Sequence, residues 1–370
     1  MIDNVIIQHD FRYVIQDVQR GVVEKERFWV YINDERAEFE CAGREIVSLG
    51  PWKFEENHGD IVLRNEVKSI IVKQPLSVMN ADYEVSSLAA TDDGKRALGG
   101  TQGQLEFINS DGKCVEVHDA HYSDILHIQY FPSKQVAMTI GLDYSIKIWS
   151  VLDGSNPRTM RKHTATLTAL AAIGRGRNIV SGARDGAVYI WECASGEAVW
   201  EFRRVKNLTD PVVGLAVIDI KEPGNEAQQV SNSMFYETEN KKLLVGYESG
   251  VVATYDLETR CSFGEFSAGD KMSAFAADKD ILVTGHSDGT IRCFRGSETI
   301  WWELHGDEEV RKIQISDNKI YCLQRQVAII NFDGKVESIF SDYYGLNDFC
   351  AIPGSLYVAC KDTTVKKISV

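Results

Sequence analysis

Three residues near the middle of the chain are of the types hydrolytic chemistry uses. Ser181 offers a hydroxyl nucleophile, His163 a general base eighteen residues earlier, and Asp185 a carboxylate to orient the imidazole. One such set would suggest acyl transfer. The set is not single: His121, Thr139, Asp143 and Trp149 stand at the same relative positions as His163, Ser181, Asp185 and Trp191, 42 residues upstream. An enzyme needs one nucleophile at one site, whereas a constellation that recurs with its indole donor included is explained by packing. Hydroxyl, imidazole, carboxylate and indole N–H satisfy one another when buried between strands, so these eight residues are expected to be structural tetrads and no catalytic residue is expected.

The recurrence extends along the chain. Asp143 precedes Trp149 by six residues in "GLDYSIKIW", Asp185 precedes Trp191 by six in "GARDGAVYIW", and "GHSDGTIRCF" repeats the arrangement with Asp288 and Phe294. Weaker copies run from Thr101 to Phe107, Ser249 to Tyr255 and Asp362 to Ile368, and a degenerate one is centred near Gln326. That makes seven units about 40 residues apart, except for one longer interval carrying some 22 extra residues. The excess falls at 219–242, where Gln, Asn, Ser, Glu and Pro-Gly cannot support a core, so a surface loop is expected. The fifth unit has no histidine at the matching upstream position.

Elements must exist to position these groups. Within a unit, "ATLTALAAI", "RNIVSGA", "AVYIWE" and "AVWEFRR" alternate apolar and polar residues between turn signals, the signature of four short strands. Four strands per unit and seven units predict an all-β, seven-bladed propeller over residues 67–370. The last unit ends at the terminus without its outermost strand, and "KSIIVKQP", residues 68–75, is expected to supply it and latch the ring. Residues 1–66, with 14 acids and 8 bases, read as a small β-rich domain. Its strands are "FRYVIQDV", "RFWVYIN", "AEFECA", "REIVSLGPWKF" and "DIVLRN", with Trp29 and Trp52 filling its core; capping of one ring face is the other arrangement it allows.

The remaining composition limits the chemistry. Formal net charge is −14, which repels phosphate backbones and anionic lipid, so neither nucleic acid nor membrane is an expected partner and a basic protein surface fits better. The eight cysteines contain no Cys-x-x-Cys pair and no zinc-type spacing, so no metal or cofactor is expected and a reducing compartment is. "GRGRN", residues 174–178, falls in a turn between strands and reads as a solvated hairpin, not a phosphate cradle.

These features resemble the WD40 repeat family, whose blades carry a Gly-His pair, a Ser or Thr, a turn Asp and a closing Trp-Asp. Here the dipeptides are degenerate, as in Lys162-His163 and Trp191-Glu192. Within that family, residues 121–197, with the "GRGRNIVSGARDG" core and the Trp-x-Cys after it, are similar to the second and third blades of the proteasomal ATPase-associated factor family. The resemblance implies a non-catalytic assembly chaperone of the 26S proteasome regulatory-particle base, a monomer of cytoplasm and nucleus that binds the C-terminal domain of a regulatory ATPase subunit. The alternative is a substrate receptor or adaptor of a cullin-type ubiquitin ligase. Such receptors end a blade with Trp-Asp-x-Arg, where this chain reads "WSVL" and "WECA". Propeller geometry projects one set of residues onto a single face of the ring as the expected partner-binding surface. Leu142, Arg184, Glu248, Ser287 and Lys361 precede the turns, and Tyr122, Asp124, Thr166, Asp270 and Glu308 lie in interblade loops.

Overall fold

In the computed structural model, which describes residues 2–220, 234–295 and 300–370, the repeat becomes seven antiparallel sheets. Blade three shows the pattern: Leu167–Ile173, Asn178–Ala183, Val188–Glu192 and Glu197–Phe202 pair in sequence order. All six residues of its second strand are buried, because neighbouring sheets cover both of its faces. The innermost strands are Val85–Ala90, Ile125–Tyr130, Leu167–Ile173, Val212–Asp219, Met272–Asp278, Lys312–Ser316 and Leu346–Ile352. Each touches the next, and the seventh touches the first, so the ring is closed. It is a seven-bladed, all-β propeller.

Blade seven takes its outermost strand from Pro75–Asn80, which runs antiparallel to Thr364–Ser369 in the register Thr364↔Asn80 to Ile368↔Pro75. The latch therefore exists, but not at the expected 68–75. Ser69–Val72 instead lies parallel to the outer strand of blade six, with Ile339 opposite Val72, and carries Lys53–Asn57 and Asp60–Arg64 with it into one seven-stranded sheet. Alternation alone did not separate two consecutive strands that serve different blades.

The N-terminal segment holds a second departure. Phe11–Gln19, expected as a strand, is a helix that buries Phe11, Val14, Ile15 and Val18. Their spacing of three, four and seven is one helical stripe, and the β-branched composition had concealed it. The helix packs on the sheet Val5–Ile7, Lys25–Ile32, Glu35–Ala42, Glu45–Ser48 around Phe28, Phe39 and Phe54. Trp52 is in this core, whereas Trp29 sits half-buried on the outer face against Tyr31. The expected single strand "REIVSLGPWKF" breaks into two strands at Gly50-Pro51.

The ends of the 219–242 insertion are strand, since Asp219 pairs with Lys241; residues 221–233 of the expected loop lie outside the described residues. The segment 234–240 is held against blade three by the "GRGRN" turn. Asn178 Nδ2 donates to the Met234 carbonyl at 3.0 Å, the Tyr236 N–H donates to Asn178 Oδ1 at 2.6 Å, and Arg177 stacks 3.6 Å over Tyr236. Glu237 bonds both the backbone and the guanidinium of Arg175 at 2.5 Å. The turn is a hairpin with Gly174, Arg175 and Arg177 exposed, as expected, and it is in addition a docking point for the chain itself.

Candidate functional site

Both tetrads are assembled. In blade two, His121 Nδ1 is 3.0 Å from Asp143 Oδ1, His121 Nε2 is 2.6 Å from Thr139 Oγ1, and Trp149 Nε1–H donates to that same oxygen at 2.9 Å. In blade three the distances are 3.1 Å from His163 Nδ1 to Asp185 Oδ2, 2.8 Å from His163 Nε2 to Ser181 Oγ and 2.8 Å from Trp191 Nε1 to Ser181 Oγ. Ser181 is 0% exposed, and Trp191 covers its hydroxyl. A nucleophile must meet substrate, and this oxygen meets a tryptophan. The relay instead ties the interblade loop that carries the histidine to the second and third strands of its blade. Burial pushes the pKa of His121 down, against the pull of Asp143, keeping it a neutral ring that donates from Nδ1 and accepts at Nε2.

Asp185 makes this relay pH-sensitive. Burial pushes its carboxyl up, but hydrogen bonds from His163, the Thr164 N–H at 2.8 Å and the Ala187 N–H at 3.0 Å outweigh that and hold it at about 2. A carboxyl with a depressed folded-state pKa stabilises the fold above its unfolded value near 3.8, and that contribution is lost as pH falls from there toward 2. Asp185→Asn is expected to cost about 2 kcal/mol at neutral pH and to flatten the acid limb between pH ~4 and ~2. Urea midpoints measured against pH for both proteins check it; parallel acid limbs would contradict it.

Blades four, five and six solve the same problem with other residues, of which sequence reading missed Arg204, His286 and Gln324. In blade five the imidazole comes from inside the second strand: His286 Nε2 is 3.0 Å from Thr284 Oγ1 and Nδ1 donates to the Asp270 carbonyl at 2.8 Å. In blade four, buried Arg204 pairs with buried Asp210 and, at 3.0 Å, with Glu265, while Ser249 Oγ donates to Asp210 at 2.6 Å. In blade six, Gln324 Nε2 donates to the Glu308 carbonyl at 2.6 Å. Gln326, where other blades have a turn aspartate, accepts from the Val5 N–H at 3.1 Å and donates to the Asp3 carbonyl. The degenerate blade has thus exchanged its tetrad for a seat under the N-terminal strand.

A second set of fasteners surrounds the central channel. The innermost strands of blades one to five and seven carry a bulge at the same place, which re-aims one side chain toward the next blade. Ser86 donates to the Ile125 carbonyl at 2.9 Å, Thr168 to Val212 at 2.7 Å, Ser273 to Val310 at 2.8 Å and Asn347 to Val85 at 3.0 Å. Arg311 serves blade six, reaching the Leu346 carbonyl at 3.0 Å. The channel, about 340 Å³, also holds Lys312 bonded to Asp348 at 2.6 Å, and Asp348 accepts the Leu88 N–H at 2.8 Å, so three blades are joined across the closure. His127 beside them is driven down to about 4 by burial and the Lys312 charge. Lys312 and Asp348 thus serve the seam.

The proposed face is one end of the ring. Leu142, Arg184, Glu248, Ser287 and Lys361 donate their backbone N–H groups to carbonyls of Asp124, Thr166, Pro211, Lys271 and Gly345 in the adjoining interblade loops, at 2.9 to 3.1 Å. In blades three to five the turns lie so close to those loops that glycine is required, as at Gly250, φ +85°, where a Cβ would fall 1.6 Å from the Gly269 carbonyl oxygen; Tyr144 and Thr363 hold the matching positive-φ position in blades two and seven. Tyr122 is 85% exposed and Leu142, Arg184, Asp270, Ser287, Glu308 and Lys361 are exposed, whereas Asp124, Thr166 and Glu248 are partly buried. Arg184 and Glu248 form an ion pair at 2.8 Å, so two nominated residues face each other across a blade boundary. Among the described residues, one group has metal-type donors close together: Asp342, Cys360 and Asp362. Lys366 bonds Asp342 and lies 3.9 Å from Asp362, supplying the positive charge itself, and burial pushes the Cys360 thiol up to about 12.

Comparison with known proteins agrees with this architecture. Residues 154–192, the end of blade two and most of blade three, match the family described as WD domain, G-beta repeat. The chain is 30% identical over 271 residues to the 26S proteasome regulatory subunit RPN14 of Saccharomyces cerevisiae, an alignment covering 68% of this chain and 63% of that protein's length. It is 31% identical over 87 residues to periodic tryptophan protein 2 of Arabidopsis thaliana, covering 24% of this chain and 9% of that protein. Over 179 residues it is 22% identical to eukaryotic translation initiation factor 3 subunit I of Meyerozyma guilliermondii, covering 40% of this chain and 50% of the relative. A closed ring of seven four-stranded blades, two complete His–hydroxyl–Asp–Trp relays and the matched repeat establish that the chain is a WD40-repeat protein, similar over 68% of its length to a proteasome regulatory subunit of which it spans less than two thirds.

Proposed function

We propose that this protein is a non-catalytic assembly chaperone of the 26S proteasome regulatory-particle base, holding the C-terminal domain of a regulatory ATPase subunit against the ring face that carries Tyr122, Leu142 and Glu308. The observation that carries the reading is the similarity to the yeast proteasome regulatory subunit over 68% of the chain. The buried state of both relays supports it, since their polar groups are consumed in holding blades together and the face is left free to bind. An overall charge of −14 favours encounter with a basic partner surface. No helix among the described residues is long and apolar enough to cross a membrane, and the chain acts as a monomer in cytoplasm and nucleus in this reading. The test is affinity capture of the tagged full-length chain from cell extract followed by mass spectrometry. Regulatory ATPase subunits are the expected partners; a cullin adaptor, or neither, would overturn the assignment.

A further inference from the structure

Between the N-terminal helix and the junction of blades six and seven lies a cleft of about 780 Å³, a volume typical of small-molecule sites. It is separate from the tetrads and the channel, and nothing in the proposed holding role uses its chemistry. Its apolar floor is Phe11, Pro75 and Leu76. Its wall is a ring cluster, with His9 5.1 Å from Tyr343 and Tyr343 edge-on to Tyr344 at 5.3 Å. Both tyrosines are more than half exposed, so these rings present open faces.

The polar groups are unbalanced in one direction. Both carboxylates of the cleft are already engaged: Asp60 accepts from Lys73 at 2.9 Å and from the Gln74 N–H at 3.2 Å, and Asp342 from Lys366 and the Tyr344 N–H at 3.1 Å. Arg12 is the more loosely engaged cation: half exposed, it donates to Gln74 at 3.4 Å, lies 3.9 Å from the half-exposed Glu56 and stacks 5.5 Å over the Phe11 ring of the floor. A guanidinium beside an aromatic wall, in a chain that is strongly acidic elsewhere, suits an anionic oxygen group carried on a flat body. We propose that this cleft binds a small organic anion, with its carboxylate or phosphate on Arg12 and its planar portion against Tyr343 and Tyr344.

The experiment titrates phenyl phosphate and benzoate separately against the full-length chain, followed by calorimetry and by chemical-shift changes. Saturable one-to-one binding of at least one is expected, and the tighter of the two shows whether phosphate or carboxylate is preferred. Arg12→Gln, a surface change that leaves the melting temperature in place, is expected to weaken binding about tenfold, the loss of one charge-assisted hydrogen-bonding partner. Tyr344→Ala is expected to weaken it as well. Failure of both anions to saturate, or equal affinity in the folded Arg12→Gln protein, would overturn the proposal.

Discussion

A chain ending at Cys360 is expected to give no cooperative thermal transition. The missing residues form the third strand of blade seven, which pairs with Ser355–Cys360 on one side and with Pro75–Asn80 on the other. Its Val365 and Ile368 are buried, and each stands to lose about 1.5 to 3 kcal/mol of burial. More follows than those two side chains. Without this strand Pro75–Asn80 has no partner, blade seven is reduced to a hairpin, and the closing bonds from Asn347 to Val85 and from Asp348 to Leu88 have nothing holding them in place. The loss is comparable with the whole stability of a domain, about 5 to 15 kcal/mol, so a loosened chain with exposed apolar surface is expected. Circular dichroism melts with dye binding check this; a truncated chain melting within a few degrees of full length would show that the latch is dispensable.

The second large effect is expected at Arg204. Its guanidinium is nearly inaccessible, bonded to Asp210, to Glu265 and to Ser249 Oγ at 3.1 Å, and Asp210 is itself 2% exposed. Arg204→Met strands a buried carboxylate, and breaking a buried pair from one side costs about 3 to 5 kcal/mol. The double variant Arg204→Met, Asp210→Leu removes the stranded charge and is expected to recover much of that loss. Denaturant midpoints of the two proteins decide the matter. A single variant as stable as the wild type would mean that the pair contributes nothing; a double variant no better than the single would mean that lost packing, not stranded charge, is the cause.

What could be read from the residues, and what could not, follows from the range of the interactions. The period was legible because Asp143, Asp185 and Asp288 stand six residues before an aromatic within a local turn and strand. The relays were legible because all four members of each recur together. The latch was legible as a necessity but not in register, since Ser69–Val72 and Pro75–Asn80 have similar alternation and only their partners, more than 260 residues away, tell them apart. The helix Phe11–Gln19 was written in the spacing of Phe11, Val14, Ile15 and Val18, and a test for period 3.6 would have found it. His286 and Arg204 replace the missing relay members from unexpected positions, so alignment of repeats could not reveal them, whereas Gln326 stands at the turn-aspartate position and only its bonds to the N-terminal strand, more than 300 residues away, were hidden. The fasteners Ser86, Thr168, Ser273 and Asn347 do recur, each as a polar residue near the start of an innermost strand, and that signal could have been found.

The central claim is that one face of a closed ring grasps a polypeptide while the buried polar groups only hold the ring together. The most direct measurement is a binding titration between the purified full-length chain and the C-terminal domain of each regulatory ATPase subunit, repeated with Asp124, Glu248 and Glu308 all changed to Lys. The account predicts saturable binding of one such domain by the wild type and its loss, by at least about tenfold, in a triple variant that melts normally. Undiminished binding by that folded variant, or binding of none of the domains, would contradict it.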